Sequence, residues 1–356
     1  SSAVNYTMLL SSGYNYFETP LIDFNARDSL RLYECYIYAF THPNYTTFLG
    51  VFEAAVTMTG TVLLAVGLVR AGLKMDHRAP APAPARAPEV SLFTKHLVGL
   101  PFDRLADVVA EIGVAGIEAP VRPGGHVEPA RVEEDLPRLA EALKRRGLAI
   151  AMVTTGINEV SAATRTEAVL RTARALGIPR FRMNWYAYDG RRSPWTQLDE
   201  IRPKLRDLVQ LAREIGIQPC YQNHSGPKFV GAGVWDMAML MREHPAADLA
   251  WAFDIMHATI EGSTSWPTEL ELARERLGMA YFKNFTWEGK GHRPAALADG
   301  VVGSAYVERL KRAGFAGPVC LHVEYLPEKA PKDEAYLRQA VAASRRDLAT
   351  LRGWWG

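Results

Sequence analysis

The chain has 356 residues, of which 48% are hydrophobic and 22% are charged, and its 41 basic and 39 acidic side chains give a formal net charge of +2. This composition is typical of a globular protein with enough length for a large core, and the near-neutral charge gives no electrostatic reason to expect a nucleic acid partner. The three cysteines lack the spacing of a metal-binding motif, and we expect Cys220 and Cys320, which lie in apolar runs, to be buried free thiols.

Residues 1–78 differ in composition from the rest of the chain, and we interpret them as an N-terminal extension. Its apolar segment near 48–69 has 16 uncharged residues between Glu53 and Arg70, fewer than the ~20 of a comfortable membrane span. An export signal or anchor, a membrane helix and a buried helix are all open interpretations. An exported, periplasmic or membrane-anchored protein follows from the first two, and a cytoplasmic one from the third. Residues 79–90, rich in proline and alanine, are predicted to be a stiff linker.

From residue 91 to residue 356 short apolar runs alternate with amphipathic segments. The eight strand candidates lie in "LFTKHLVGL", "AGIEAPV", "LAIAMVTT", "RFRMNWYAY", "IQPCYQN", "LAWAFDI", "MAYFKNF" and "PVCLHVEY". The segments between them have helical spacing, as in Leu105, Val108 and Ile112. Six of these segments stop at a glycine, which we expect to close the helix in the left-handed conformation: Gly113, Gly147, Gly177, Gly216, Gly278 and Gly314. This rhythm favours an α/β fold of the (β/α)8 TIM barrel type over an open doubly wound sheet, since no GxGxxG turn follows the first strand.

Polar side chains follow most of the predicted strands. In such a barrel the C-terminal ends of the strands form one mouth, where chemistry collects. The candidates in chain order are Lys95, His96, Glu118, Arg122, His126, Thr154, Thr155, Asn184, Gln222, Asn223, His224, Asp254, His257, Lys283, Asn284, His322 and Glu324. Any single one, for example His96 or His322, is more often a hydrogen-bonded barrel residue than a ligand. Buried carboxylates such as Asp254 and Glu324 are costly to keep ionised, and a divalent metal ion or a cationic partner usually compensates them.

Four of these segments, in this order, resemble strands five to eight of the xylose isomerase-like barrels: "CYQNHSG", "FDIMHATIEG", "YFKNFTW" and "LHVEY". The likeness extends over roughly residues 91–326, and motifs such as "VRPGGHV" and "HATIEGSTSWP" are similar to a bacterial group of sugar phosphate isomerase/epimerase-like proteins. The superfamily includes sugar isomerases, sugar epimerases and inosose dehydratases. The resemblance therefore implies a small carbohydrate as the substrate.

The resemblance also implies a metal site. In the sugar epimerases of this superfamily a Glu, an Asp, a His and a Glu from strands five to eight hold a divalent ion. On this chain the corresponding ligands are Gln222 in place of the first Glu, Asp254 and Glu324, and Tyr281 stands in place of the His. We therefore expect Mn2+, Mg2+ or a similar ion, held by an incomplete ligand set. Asn284 stands where the relatives carry an Asp.

The predicted function is a sugar isomerase or epimerase that abstracts a proton α to a carbonyl, with assistance from the metal. Gln222 cannot accept a proton, so we expect one base, Glu324, with Lys283 or His224 polarising or protonating the oxygen. The expected substrate contacts are His257, His96, Glu118, Arg122, His126, Asn184 and Trp287. The alternatives are a keto-sugar lyase or dehydratase on the same site, a non-catalytic carbohydrate-binding protein on a degenerate isomerase scaffold, and an abasic-site endonuclease, which the balanced charge argues against. The oligomeric state is left open.

Overall fold

A computed structural model describes residues 88–327 and 330–356 of the chain. The predicted N-terminal extension, its apolar segment near 48–69 and most of the predicted linker lie outside the described residues. Within the described ranges, none of the helices combines the length and the apolar character that crossing a membrane requires.

Eight parallel strands form a closed barrel, in which each strand pairs with the next along the chain and the last pairs with the first. They are β1 (Val90–Phe93), β2 (Gly116–Val121), β3 (Ala149–Thr155), β4 (Arg180–Arg182), β5 (Gln218–Gln222), β6 (Ala250–Asp254), β7 (Leu277–Phe282) and β10 (Val319–Leu321). Between β7 and β10 an antiparallel hairpin forms a sheet of its own, made of β8 (Asn284–Glu288) and β9 (Gly291–Ala295). The predicted α/β barrel of eight strands is confirmed.

Nine helices of the described residues follow the strands. They are α1 (Phe102–Ile112), α2 (Val132–Lys144), α3 (Thr166–Ala175), α4 (Pro194–Ile215), α5 (Trp235–Met241), α6 (Ile255–Gly262), α7 (Trp266–Ala273), α8 (Ala305–Arg312) and α9 (Glu334–Trp355). Their apolar faces pack on the outside of the barrel; in α1 the predicted stripe of Leu105, Val108 and Ile112 is buried. Short 3-10 turns lie at Lys95–Leu97, Pro129–Arg131, Ser263–Ser265, Arg274–Arg276 and Leu297–Asp299.

The predicted glycine positions are confirmed with one exception. Five of the six have a positive φ at the end of a helical segment: Gly113, Gly147, Gly177, Gly216 and Gly314. Gly278 instead lies inside β7, so its assignment as a helix end is wrong. The preceding helix ends at Ala273, and a 3-10 turn leads directly into the strand. Gly278 is needed there because a Cβ would come within 2.8 Å of the Ala250 Cβ across the neighbouring strand.

The inside of the barrel holds a small apolar cluster of its own. Its members are Phe93, Met152, Cys220, Ala250, Ala252, Met279, Tyr281 and Cys320. Both cysteines of this cluster are buried free thiols, as predicted. Because side chains of a strand alternate between its two faces, the residues two positions further along these strands also point inward, towards the C-terminal mouth of the barrel. That continuation of the interior is polar and charged.

Candidate active site at the mouth of the barrel

Asp254 is fixed at the end of β6 by contacts to its side chain and its backbone. Its Oδ1 accepts a hydrogen bond from the backbone N–H of His257 at 3.2 Å and so caps helix α6. The carboxamide of Asn223 bonds the Asp254 backbone twice, at 3.0 Å and 2.7 Å, and Gln222 Nε2 donates to Asp254 Oδ2 at 2.7 Å. The spacing of Asp254 and His257 is therefore that of a helix cap, which places both side chains at the mouth.

Lys283 lies between the acids of the sixth and eighth barrel strands. Its Nζ is 3.0 Å from Asp254 Oδ2 and 3.4 Å from Glu324 Oε2. The residue is buried, and burial alone would lower its pKa, but the attraction of Asp254 and Glu324 outweighs this effect and raises the pKa. Lys283 is therefore a buried ammonium group that joins the two carboxylates.

Glu324 lies on the more open side of this cluster, with 18% of its side chain exposed. Its Oε1 is 3.5 Å from Lys95 Nζ and 3.7 Å from His322 Nδ1. Burial would raise the pKa of Glu324, yet the charge of Lys283, the nearby His322 ring and the charge of Lys95 together hold it well below its usual value. Glu324 is thus an ionised carboxylate that a ligand in the mouth can reach.

Two histidines complete the mouth. His257 Nε2 is 2.8 Å from Lys283 Nζ, and His257 Nδ1 is 2.8 Å from Ser225 Oγ. An ammonium group only donates, so Nε2 accepts and the ring proton is assigned to Nδ1. The ring of the half-buried His224 lies 4.0 Å from that of His257, and its Nδ1 is 2.9 Å from the carbonyl of Ser225. Burial lowers the pKa of both rings, which are therefore neutral near pH 7, with His224 Nε2 as an acceptor.

A second charged layer lies deeper in the barrel. Glu118 is fully buried, accepts a hydrogen bond from the Thr154 hydroxyl and forms an ion pair with Arg182, whose Nη1 lies 3.3 Å from Glu118 Oε1. Burial would raise the pKa of Glu118, but Arg182 and His322 lower it to about 2. The guanidinium of Arg182 also lies over the ring of Phe93, 4.6 Å from its centroid. The predicted substrate residue Glu118 is therefore held by an ion pair beneath the mouth.

Glu118, Cys320 and His322 form a buried group that could hold a metal ion, since their ligand atoms lie within 4.8 Å of one another. Glu118 Oε2 and both ring nitrogens of His322 have no hydrogen-bond partner among the described residues. This inner group was not among the predicted metal sites. Its signal in the sequence is the alternation in "CLHVE", which places Cys320, His322 and Glu324 on one face of the last barrel strand and its continuation.

The predicted metal ligands Gln222, Asp254 and Glu324 do come close together, but their arrangement does not fit a divalent ion. The ammonium group of Lys283 already lies between the two carboxylates. Gln222 presents its amide Nε2 to Asp254, and its Oε1 is buried without a hydrogen-bond partner among the described residues. An ion between these side chains would have to displace Lys283.

Other predicted substrate residues lie around this cluster. His126 Nε2 is 3.0 Å from Thr94 Oγ1, and burial lowers the pKa of His126 to about 4. His96 is buried, and its pKa falls to about 3 because of burial and the charge of Lys332. Both rings are neutral near pH 7. Arg122 is half-buried in the turn after β2.

Asn184 and Trp287 lie on other segments. Asn184 is half-buried after β4, and its backbone N–H donates to the carbonyl of Ile157 at 2.8 Å. Trp287 is on strand β8 of the hairpin, is 48% exposed and packs edge-on against Phe285 with the ring centroids 5.0 Å apart. The structure therefore gathers Lys95, Gln222, His224, Asp254, His257, Lys283 and Glu324 into one cluster and places Trp287 on the hairpin.

Asn284 fastens the hairpin next to Lys283. Its side-chain amide donates to the carbonyls of Leu297 at 2.8 Å and Val302 at 2.9 Å, and its Oδ1 accepts from the backbone N–H groups of Val302 and Phe285. An aspartate could not make the two donated bonds. The Asn at this position therefore serves the local structure of this chain.

The sequence pattern of a family described as "Xylose isomerase-like TIM barrel" matches residues 106–346. No curated protein matches the chain significantly.

Solved structures of several proteins are similar in fold. A 3-keto-D-glucoside 4-epimerase from E. coli is 16% identical with a TM-score of 0.54, covering 75% of this chain and 99% of its own. A D-psicose 3-epimerase from Clostridium cellulolyticum H10, solved with D-tagatose, is 14% identical with a TM-score of 0.56, covering 74% and 99%. A probable 3-DHS dehydratase from Bacillus anthracis is 16% identical with a TM-score of 0.57, covering 74% and 98%. At these identities the likeness shows the fold alone.

Proposed function

Because the chain belongs to the xylose isomerase-like TIM barrel family, we propose that it is a carbohydrate isomerase or epimerase that removes a proton α to a carbonyl. The observation that carries this proposal is the meeting of Asp254, Lys283 and Glu324 at one mouth, with ionic contacts of 3.0 Å and 3.4 Å. The names of two similar structures, a 3-keto-D-glucoside 4-epimerase and a D-psicose 3-epimerase, support a carbohydrate as the substrate.

Glu324 is the proposed base. It is ionised, and it is the acid of the mouth that a ligand can reach, with 18% of its side chain exposed against 0% for Asp254. The same contacts that keep Glu324 ionised also make it a weak base. A substrate oxygen that draws the Lys283 ammonium towards itself would weaken that contact and raise the proton affinity of Glu324 where the proton is to be taken.

Lys283 is the proposed electrophile. Its positive charge is fixed in a buried site, where it would stabilise the negative charge that develops on the carbonyl oxygen during proton removal. Asp254 and His257 hold the ammonium group in place through contacts of 3.0 Å and 2.8 Å. The Nε2 of His224 is left as an acceptor for a substrate hydroxyl.

A site with Glu324 as its one base favours reactions that need only a single carboxylate to remove the carbon-bound proton. Gln222 stands where the relatives would carry a second carboxylate, and its amide group cannot take a proton from the opposite face of the carbon. In aldose–ketose isomerisation the carbon-bound proton moves between neighbouring carbons, which needs Glu324 as the one base. The hydroxyl proton must also pass between the two substrate oxygens, and Lys283 Nζ or His224 Nε2 would relay it. A keto-sugar lyase is the second candidate, because elimination of a leaving group begins with the same proton removal and also needs a single base.

Exchange of substrate protons with solvent tests the proposal whichever product forms. Purified protein is incubated in D2O with a panel of ketoses and 3-keto-glycosides, and NMR follows deuterium at the carbon next to the carbonyl. We expect exchange with at least one substrate, and Glu324→Gln should slow it by about 10²-fold or more. The matched control is Glu334→Gln, a change of the same type on the exposed surface of α9. Binding of a sugar without any exchange would instead identify a non-catalytic carbohydrate-binding protein.

A further inference from the structure

We propose that the ammonium group of Lys283 takes the place of a divalent ion at the mouth of this barrel, so that Asp254 and Glu324 hold no metal. Nζ of Lys283 is 3.0 Å from one carboxylate and 3.4 Å from the other, in the position that a shared cation would occupy. The inference deepens the proposed function and rests on it only for the electrophilic role of Lys283. That Lys283 Nζ occupies the position between the two carboxylates follows from charge and geometry alone.

Among the residues of this cluster that the structure describes, two carboxylates face two ammonium groups. Asp254 and Glu324 contribute two negative charges, and Lys283 and Lys95 contribute two positive ones. His257 touches this group as a neutral ring. An additional divalent ion would leave an excess of positive charge in a site where Asp254 and Lys283 are buried, and burial makes unbalanced charge expensive.

The other two ligand positions also argue against a divalent ion at the mouth. Gln222 Nε2 donates to Asp254 Oδ2 at 2.7 Å, and a donor nitrogen of an amide does not bind a cation, so only the carbonyl Oε1 of this residue is left as a ligand. Tyr281, which stands in place of the His ligand, is buried with its hydroxyl 3.4 Å from Met152 Sδ inside the barrel. Of the four ligand positions, that of Tyr281 is therefore turned to another contact, and that of Gln222 offers an uncharged carbonyl oxygen in place of a carboxylate.

Removal of the lysine charge should open a metal site. Lys283→Met keeps the length and apolar stem of the side chain but leaves Asp254 and Glu324 facing each other without their shared cation. Isothermal titration with Mn2+ should then show one ion per chain, with an affinity at least about tenfold above that of the wild type. The reason is that the carboxylates of Asp254 and Glu324 are preferred ligands of a hard cation. The added change Asp254→Asn should abolish that site.

Lys95→Met is the matched control. It removes an ammonium that contacts Glu324 at 3.5 Å but does not lie between the two acids, so it should gain little affinity for Mn2+. Thermal unfolding followed by circular dichroism establishes that each variant is folded before its titration. Metal analysis of the wild-type protein, purified without chelator, accompanies the titrations.

Two results would overturn the proposal. One is a wild-type protein that carries a stoichiometric divalent ion which Asp254→Asn removes. The other is a folded Lys283→Met variant that gains no Mn2+ affinity. An ion that survives Asp254→Asn but is lost in His322→Gln belongs to the inner group of Glu118, Cys320 and His322, and agrees with a metal-free mouth. No sugar is used in these measurements, so a failure of the proposed enzyme activity would not change their outcome.

Discussion

Replacement of Glu118 by glutamine should strongly destabilise the fold, although the shape of the side chain is nearly unchanged. The carboxylate is fully buried and lies 3.3 Å from the guanidinium of Arg182, whose side chain is 4% exposed. Loss of one member of a buried ion pair leaves the other charge uncompensated, which typically costs about 3–5 kcal/mol. A glutamine can still accept the hydrogen bond from Thr154, so we expect about 3 kcal/mol for Glu118→Gln, near the lower end of that range.

Urea denaturation of four proteins measures this effect: the wild type, Glu118→Gln, Arg182→Met and the double variant. Because the double variant leaves neither charge unpaired, its loss of unfolding free energy should be smaller than the sum of the two single losses by about 1–3 kcal/mol. Arg171→Met, which removes an exposed arginine that pairs with Glu167 on α3, is the control and should cost under about 1 kcal/mol. A loss below about 1 kcal/mol for Glu118→Gln, or strictly additive losses, would refute the role assigned to the pair.

Three further predictions follow from single features. The folded pKa of Glu118, about 2, lies below the ordinary value of 4.5. The contribution of the Glu118–Arg182 pair to the free energy of unfolding is therefore complete above pH 4.5 and is lost as the pH falls towards 2. Urea midpoints measured between these pH values should fall with it. Gly278→Val should lower the unfolding free energy by several kcal/mol, because even a Cβ meets Ala250 at 2.8 Å and Cys220 Sγ at 3.0 Å; an unchanged melting temperature would contradict it. Asn284→Asp should cost about 2 kcal/mol or more at neutral pH, since two donated hydrogen bonds are lost, and acidification towards pH 4 should recover part of the loss in a thermal melt.

Most of the fold could be predicted from the sequence because the barrel repeats one local pattern. Apolar runs of strand length, amphipathic segments and a closing glycine recur, and each is set by nearby residues. Gly278 does not close a helix as this pattern predicts. Its role depends on a close approach to Ala250 on the neighbouring strand, which the local sequence does not reveal. The turn at Arg274–Arg276 that replaces the end of the helix is equally invisible in the pattern.

The site could be predicted as a set of strand ends but not as a set of contacts. Asp254, Lys283 and Glu324 follow three different strands, so their meeting required only the barrel. That Lys283 itself would compensate the two acids depends on side-chain directions, which the sequence does not specify. Arg182 was missed altogether, although it stands two residues before Asn184 in the strand pattern "RFRMN" and so shares its inward face.

The hairpin of β8 and β9 offers a practical consequence. It begins at Asn284, directly after Lys283, and its two strands pair only with each other among the described sheets. Its tip can therefore be exchanged or lengthened without disturbing the hydrogen-bonded ladders of the barrel, provided that Asn284 and its anchoring bonds are kept. A replacement loop could therefore be attached at this point, directly after Lys283.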